Sequence, residues 1–359
     1  MINYITVGKR KIGPGFPTYI ISEVGSNFDG DLKRAKYLAK LSLELGADAF
    51  KIQNFLAEKI VSETGFSNLQ VSFQSKWKKS VVDVYKAAEF PRKWLLELSD
   101  YCKKIGIDFF SAPYDKEAVD LLEEINAPIY KIGSGEIDNL EFIDYVAKAG
   151  KPILISCGSS TIGEIDTAIK TIRKNNNQIV LLQCVTNYPS PIEDANIRAM
   201  AALGKRFGVP VGYSDHTAGS DAGGNDPLFG ITVPIGAVAC GACVIEKHFT
   251  DDIKRVGPDH PFAANPKTFK VMVDGIRAME KALGDGVKRI MPSEKQTVII
   301  QRRGIYANRG IKKGEILKRE MVEFLRPAKF FRPPALFKIL GKKAKMDVGA
   351  GEPLKPGDF

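Results

Sequence analysis

Only three histidines occur in the 359 residues, and two of them close short apolar runs: His216 in "VGYSDHTAGS" and His248 in "CVIEKHFTDD". A neutral imidazole offers a lone pair to a divalent ion. Two imidazoles at the ends of neighbouring strands, with Glu23 of "YIISE" on the strand that closes beside them, make a nitrogen and oxygen ligand set with room for water or substrate. A lone histidine after a strand is more often a plain loop residue, and His260 in "GPDHPF" is read that way. Lys51 and Lys131 follow apolar residues at equivalent positions of two repeating units. Lysines that end buried strands are costly unless they meet an anion. Together with Ser134, Ser156, Ser214 and the "GSG" turn they predict a phosphate or carboxylate pocket. The other chain positions where an apolar run ends in a polar side chain are Gln53, Ser111, Glu136, Gln183, Asp215, Glu246 and Lys247.

The elements that must position these groups are short apolar strands alternating with amphipathic helices. Strands are expected at 19–23, 49–52, 108–111, 129–132, 153–156, 179–184, 211–214 and 243–248. Between them, stretches such as "LKRAKYLAKLSLELG", "KEAVDLLEEIN" and "IGEIDTAIKTIRKN" repeat apolar residues at i, i+3 and i+4. Eight strands with helical crossovers predict a parallel sheet closed into a (β/α)8 TIM barrel, whose site lies at the C-terminal ends of the strands. An open doubly wound sheet would want a glycine-rich loop after its first strand, and none is present. The segment "GFSNLQVSFQSKWKK" is expected to cross over the top of the barrel. The domains read as a barrel over 1–285, a linker over 286–300 and a small β-rich module over 301–359, where glycines punctuate short strands.

Composition narrows the partners. A hydrophobic content of 44% is that of a globular chain with a full core. The net charge of +10 is concentrated in residues 301–359, which hold 15 Lys/Arg against 6 Asp/Glu. That tail lacks the interleaved aromatics of an RNA-binding sheet and any helix-turn-helix spacing, so no nucleic acid partner is expected. The N-terminal "MINYITVGKRKIG" has no signal-peptide core, and no run approaches the ~18 apolar residues of a membrane span, so a cytoplasmic protein with no membrane partner is expected. Five cysteines in a chain this size argue for reduced thiols. The "CGAC" pair, Cys240 and Cys243, has no second pair to complete a zinc site and reads as two buried small residues.

The segments "ISEVGSNFDGD", "AFKIQNF", "FFSAPYD", "YKIGSGEI", "ILISCGSS", "QCVTNYPSP", "VGYSDHT" and "VIEKHFTDD…GPDH" resemble, in order and spacing, the sialic acid synthase family, and "RRGIYANRGIKKGE" resembles the antifreeze-like (SAF, β-clip) domain that ends those enzymes. The resemblance covers essentially the whole chain. It implies a metal-dependent condensation of phosphoenolpyruvate with N-acetylmannosamine or a related N-acyl amino hexose, giving a nine-carbon 2-keto sugar acid of the N-acetylneuraminate type and phosphate. The alternative is a legionaminic or pseudaminic acid synthase, acting on a di-N-acetylated 6-deoxy hexose. By the same resemblance His216 and His248 would hold Mn²⁺ or Mg²⁺. Glu23 would touch a metal-bound water and serve as base. Lys51, Lys131, Ser134, Ser156 and Ser214 would hold phosphoenolpyruvate, with Thr186 or Asn187 beside them. Gln53, Glu136, Tyr188 and Asp259 would contact the sugar, and Arg303 would reach it from the tail of a partner in a homodimer with swapped C-terminal domains. The family's first motif reads Asn-His-x-Gly, whereas this chain has "NFDG" with Phe28 at the histidine position. A module that only binds anions would have no need of a Lewis-acid pair.

Overall fold

The computed structural model describes residues 4–66, 79–221 and 224–359. The chain divides into two compact units, Met1–Gly284 and Asp285–Phe359. In the first, a hairpin of β1 (Ile5–Val7) and β2 (Arg10–Ile12) precedes eight parallel strands. These are β3 (Tyr19–Gly25), β4 (Ala49–Asn54), β5 (Asp108–Pro113), β6 (Tyr130–Ile132), β7 (Ile153–Ser156), β8 (Ile179–Cys184), β9 (Val211–Asp215) and β10 (Val244–His248). All eight expected strands are present, each within two residues of its expected ends.

Their hydrogen-bonded order, β5-β4-β3-β10-β9-β8-β7-β6, places the first strand against the eighth and the eighth against the seventh, as a closed TIM-like barrel requires. The register sets His248 opposite Glu23, Glu23 opposite Lys51, and Lys247 opposite Asp215. Side chains alternate along a strand. Glu246 and His248 therefore share one face of β10, and Lys247 takes the other.

The helices form for the reasons the periodicity suggests. Helix Ile162–Arg173 starts with a capping box in which Thr161 and Glu164 satisfy each other's backbone groups, and it buries Ile165, Ala168, Ile169 and Ile172 against the sheet. Helix Leu32–Glu44 is capped by Asp31, whose carboxylate accepts from the Lys33 amide at 2.7 Å. Most of "GFSNLQVSFQSKWKK", expected over the barrel top, lies outside the described residues. The short helices Ala57–Ile60, Glu63–Phe66 and Val81–Ala88 flank it.

The second unit has its own core of Ile305, Ile311, Leu317, Val322, Leu336 and Leu354. Strands β11 (Gly304–Ala307) and β12 (Val322–Leu325) pair antiparallel, and isolated bridges join 306 to 353, 311 to 348 and 316 to 343. The segment expected as a linker contains the helix Lys295–Gln301. A further correction concerns the "CGAC" pair: Cys243 is buried, but Cys240 follows the helix Phe229–Ala239 as its C-cap and is exposed.

Candidate active site

The C-terminal ends of the barrel strands enclose a cavity of about 740 Å³. Glu23 enters from β3, Lys51 and Gln53 from β4, Lys131 from β6 and Ser156 from β7. Ser214 and His216 come from the end of β9, Glu246 and His248 from β10. The loops add Ser134 and Glu136 after β6, Thr186 and Tyr188 after β8, and Asp259 after β10. Of the barrel residues that the resemblance assigns to the substrates, Asn187 does not line the cavity; it and Thr186 are both exposed, and Thr186 is the one that lines it. Of the polar strand ends, Ser111, Gln183, Asp215 and Lys247 do not line it. A close approach explains the turn beside Thr186. A Cβ on Gly158 would lie 2.2 Å from Thr186 Oγ1 and 3.0 Å from Ser134 Oγ, so only glycine admits both hydroxyls. Arg303 belongs to the second unit, where it is exposed and its Nη1 donates to the Phe324 carbonyl at 3.2 Å.

Four buried charges form the floor. Lys51 pairs with Glu23 and lies 3.7 Å from Glu246, while Lys131 reaches Glu246 at 2.9 Å. The Ser214 hydroxyl donates to the same Glu246 carboxylate at 2.8 Å. Each of the four charged side chains is at most 5% exposed. The two lysines are expected to meet an anion; in the structure each also pairs with a carboxylate of the chain, Lys51 with Glu23 and Lys131 with Glu246. Burial alone would raise the Glu246 carboxyl, but Lys131 and Lys51 overcome it and hold this group well below the usual range. Glu23 goes the other way. Burial lifts its carboxyl, and the nearby Glu246 charge adds to this against the pull of Lys51. Two carboxylates driven apart in this manner are the pattern of a proton-handling site. The Ser156 hydroxyl, on the cavity lining, is buried without a hydrogen-bond partner among the described residues. Such hydroxyls are costly unless a ligand oxygen meets them.

The two imidazoles stand on the same wall, their ring centroids 5.5 Å apart. His216 Nδ1 is 2.7 Å from the Val185 carbonyl, which fixes a proton on that nitrogen and makes Nε2 the one able to offer a lone pair when the ring is neutral; burial pulls its pKa down, but Cys184 and the Val185 carbonyl outweigh it and raise it. His248 is pushed well below its ordinary pKa by burial and then by His216, so it is neutral, and its Nδ1 is buried without a partner among the described residues. Tyr188 packs on both rings at 4.3 and 5.9 Å. Among the described residues no third metal-ligating side chain joins the pair. The donor set thus suits a divalent ion held by two imidazoles, with its other positions left to water or ligand.

Residues 38–288 match the NeuB family and residues 302–359 match the SAF domain. The chain belongs to the NeuB family. An N,N'-diacetyllegionaminic acid synthase of Campylobacter jejuni is 39% identical over 91% of this chain and 96% of its own length. An uncharacterised protein of Methanocaldococcus jannaschii is 41% identical over 96% and 95%. The crystal structure of an N-acetylneuraminic acid synthetase from Leptospira borgpetersenii, in complex with citrate, superposes with a TM-score of 0.72 at 33% identity, covering 82% of this chain and 95% of that one. The NeuB-family chain is thus an enzyme of the sialic acid synthase type, with the barrel and SAF domain expected from its motifs. Among its described residues no helix is long and apolar enough to cross a membrane.

Several residues of this NeuB-family pocket escaped sequence reasoning. Glu246 was visible as a strand end, but nothing in sequence said that it would bridge two lysines 115 and 195 positions earlier. Tyr114, Phe55, Ile60, Val61, Val84 and Tyr85 form an upper wall that is largely apolar. Phe28, at the family's histidine position, does not reach the cavity; it is 1% exposed and packs edge-on against Phe90 at 5.3 Å. His260, expected as a loop residue, lies in the short 3-10 turn His260–Phe262 after β10 and is wholly buried.

Proposed function

We propose that this NeuB-family enzyme condenses phosphoenolpyruvate with the open-chain form of an N-acyl amino hexose. C3 of the enol attacks the aldehyde carbon, forming the new C–C bond as the aldehyde oxygen takes up a proton. Water adds to C2, and phosphate then leaves with cleavage of the C2–O bond, giving a nine-carbon 2-keto acid. The observation that carries this reading is the buried floor, where Lys51 and Lys131 lie with the unpartnered Ser156 hydroxyl in the cavity that the imidazoles of His216 and His248 also line.

In this reading Lys51, Lys131, Ser134, Ser156, Ser214 and Thr186 hold the phosphate and carboxylate, supplying fixed dipoles and charge where the intermediate is most anionic. A divalent ion, Mn²⁺ or Mg²⁺, held by His216 and His248 with Glu23 through water, would polarise the aldehyde. Glu23, with its raised carboxyl, handles the proton of the attacking water. Gln53, whose Nε2 donates to Glu23 at 3.3 Å, Glu136, Tyr188 and Asp259 contact the sugar. The apolar wall of Phe55, Ile60, Val61 and Val84 favours the di-N-acetylated 6-deoxy hexose over N-acetylmannosamine, because a methyl at C6 suits that wall better than a hydroxyl. Arg303 would serve the sugar of a second copy in a swapped homodimer.

The test is phosphate release from phosphoenolpyruvate against N-acetylmannosamine, its 6-phosphate and the di-N-acetylated 6-deoxy hexoses, each with Mn²⁺ or with chelator. Metal-dependent release with a di-N-acetylated sugar is expected. Equal rates with chelator would remove the ion from the reading, and silence with every sugar would remove the reaction.

A further inference from the structure

Two residues remain outside the site as described: the third histidine, and the aspartate that follows Phe28. His260 is 0% exposed, and its Nε2 lies 2.8 Å from Asp29 Oδ1 while its Nδ1 lies 2.7 Å from Thr250 Oγ1. The other oxygen of Asp29 meets Arg255 Nε at 2.6 Å and Arg34 Nε at 3.1 Å. Arg34 in turn holds Asp251 through two bonds of 2.5 and 2.8 Å. A carboxylate between two guanidinium groups can only accept, so the His260 proton sits on Nε2 and Nδ1 accepts from the Thr250 hydroxyl. The hub of this network is Asp29, at φ +53° on the turn after β3, a left-handed conformation that aspartate tolerates better than most side chains. The network's members Thr250, Asp251, Arg255 and His260 all lie on the segment after β10.

The same two segments meet once more, inside the cavity. Asp259, the residue before His260, accepts from the Ser26 amide at 3.2 Å and from the Ser26 hydroxyl at 3.3 Å. Both bonds are at the long end of the hydrogen-bond range. The approach is tight, since a Cβ on Gly25 would fall 2.4 Å from Asp259 Oδ2. We propose that Asp29 and His260 form a positioning clasp which seats Asp259 and Ser26 at the acceptor end of the cavity. The Asp29–His260 bond, with its imidazole wholly buried and Asp29 partly exposed, is shorter than the Ser26 contacts at 2.8 Å against 3.2 and 3.3 Å, so it is the stronger of the two fastenings. Two residues separate it from Ser26 and none separates it from Asp259. A Cβ on Gly257 would come within 2.7 Å of His260 Cδ2, so the chain closes on the imidazole from this side also. With Phe28 turned into the core, this turn presents no imidazole of its own, and His260 fastens it from the opposite segment.

The assignment of the acceptor end rests on the function proposed above. The kinetic test compares His260→Ala, His260→Gln and Asp29→Asn with the unaltered chain. His260→Ala should raise the acceptor KM about tenfold, the loss expected for one misaligned charge-assisted hydrogen bond, with the phosphoenolpyruvate KM unchanged. His260→Gln, which keeps a donor towards Asp29, should restore most of that loss, and Asp29→Asn should fall between the two. Equal rises in both KM values, or no rise in either, would overturn the clasp as a positioning device. A second readout does not depend on any sugar. Amide hydrogen exchange over 24–30 and 255–262 should accelerate in His260→Ala while the barrel strands keep their protection. Unchanged exchange at Ser26 and Asp259 would overturn the inference even if no acceptor is turned over, whereas a chain that shows the accelerated exchange but no turnover would fault only the proposed reaction.

Discussion

The floor and the upper wall of the cavity are built on different principles. Floor residues come from strand ends, are almost wholly buried, and are fixed by residues of other strands: Glu23 by Lys51 and Ser214 by Glu246 between adjacent strands, Lys131 by Glu246 across the barrel. The wall comes from the short helices and loops between β4 and β5, from Phe55 and Ile60 to Val84 and Tyr85, and holds by apolar contact such as the Phe55–Tyr85 ring pair at 5.6 Å. Strand ends are rigid and shared by every substrate of a barrel, while loops vary at little cost to the fold. On the function proposed above, the chemistry belongs to the floor and the choice of acceptor to the wall.

The sharpest way to break this division is at the floor. Lys131→Met removes one cation from the buried quartet and leaves Glu246 short of a partner; turnover should fall about 10² to 10³-fold, with every acceptor alike, as read by phosphate release. A loss confined to one sugar would contradict the assignment. Arg303→Ala should have a smaller effect, a rise of about tenfold in acceptor KM without change in that for phosphoenolpyruvate. It should be complemented by mixing with a floor-deficient chain if a second copy supplies the arginine, and absence of any effect would free Arg303 from the site. The smallest effect is expected at the wall. Val84→Ser should discriminate against a 6-deoxy sugar by only about 1 kcal/mol, the scale of one methyl in an apolar pocket, measured as a ratio of kcat/KM between 6-deoxy and 6-hydroxy acceptors.

Legibility in the sequence follows the same line. Strands announce themselves by apolar runs and end in polar residues, so Glu23, Lys51, Lys131, His216 and His248 could be named before any coordinates, and their convergence follows from barrel closure. What sequence could not supply was pairing. Glu246 looked like one charge among several on "VIEKH", and only register shows that it lies between two lysines while Lys247 points away to Asp215 at 2.6 Å. The choice between Thr186 and Asn187 had the same character, since adjacent loop residues carry no periodicity to tell inside from outside. His260 shows the converse. A histidine after Gly-Pro reads as a loop residue, and nothing in the local sequence shows that it is buried beside an aspartate 231 residues earlier.

The buried quartet has one consequence for how a ligand arrives. Two lysines and two glutamates, interleaved within a few ångströms, cancel as monopoles, and the field of such an arrangement dies away much faster with distance than that of a single charge. An anion outside the cavity mouth is therefore drawn little by the floor, although one in contact with it meets two ammonium groups at once. Capture at this floor is a short-range event that ionic strength scarcely alters, unlike binding to a site that steers its ligand through solvent.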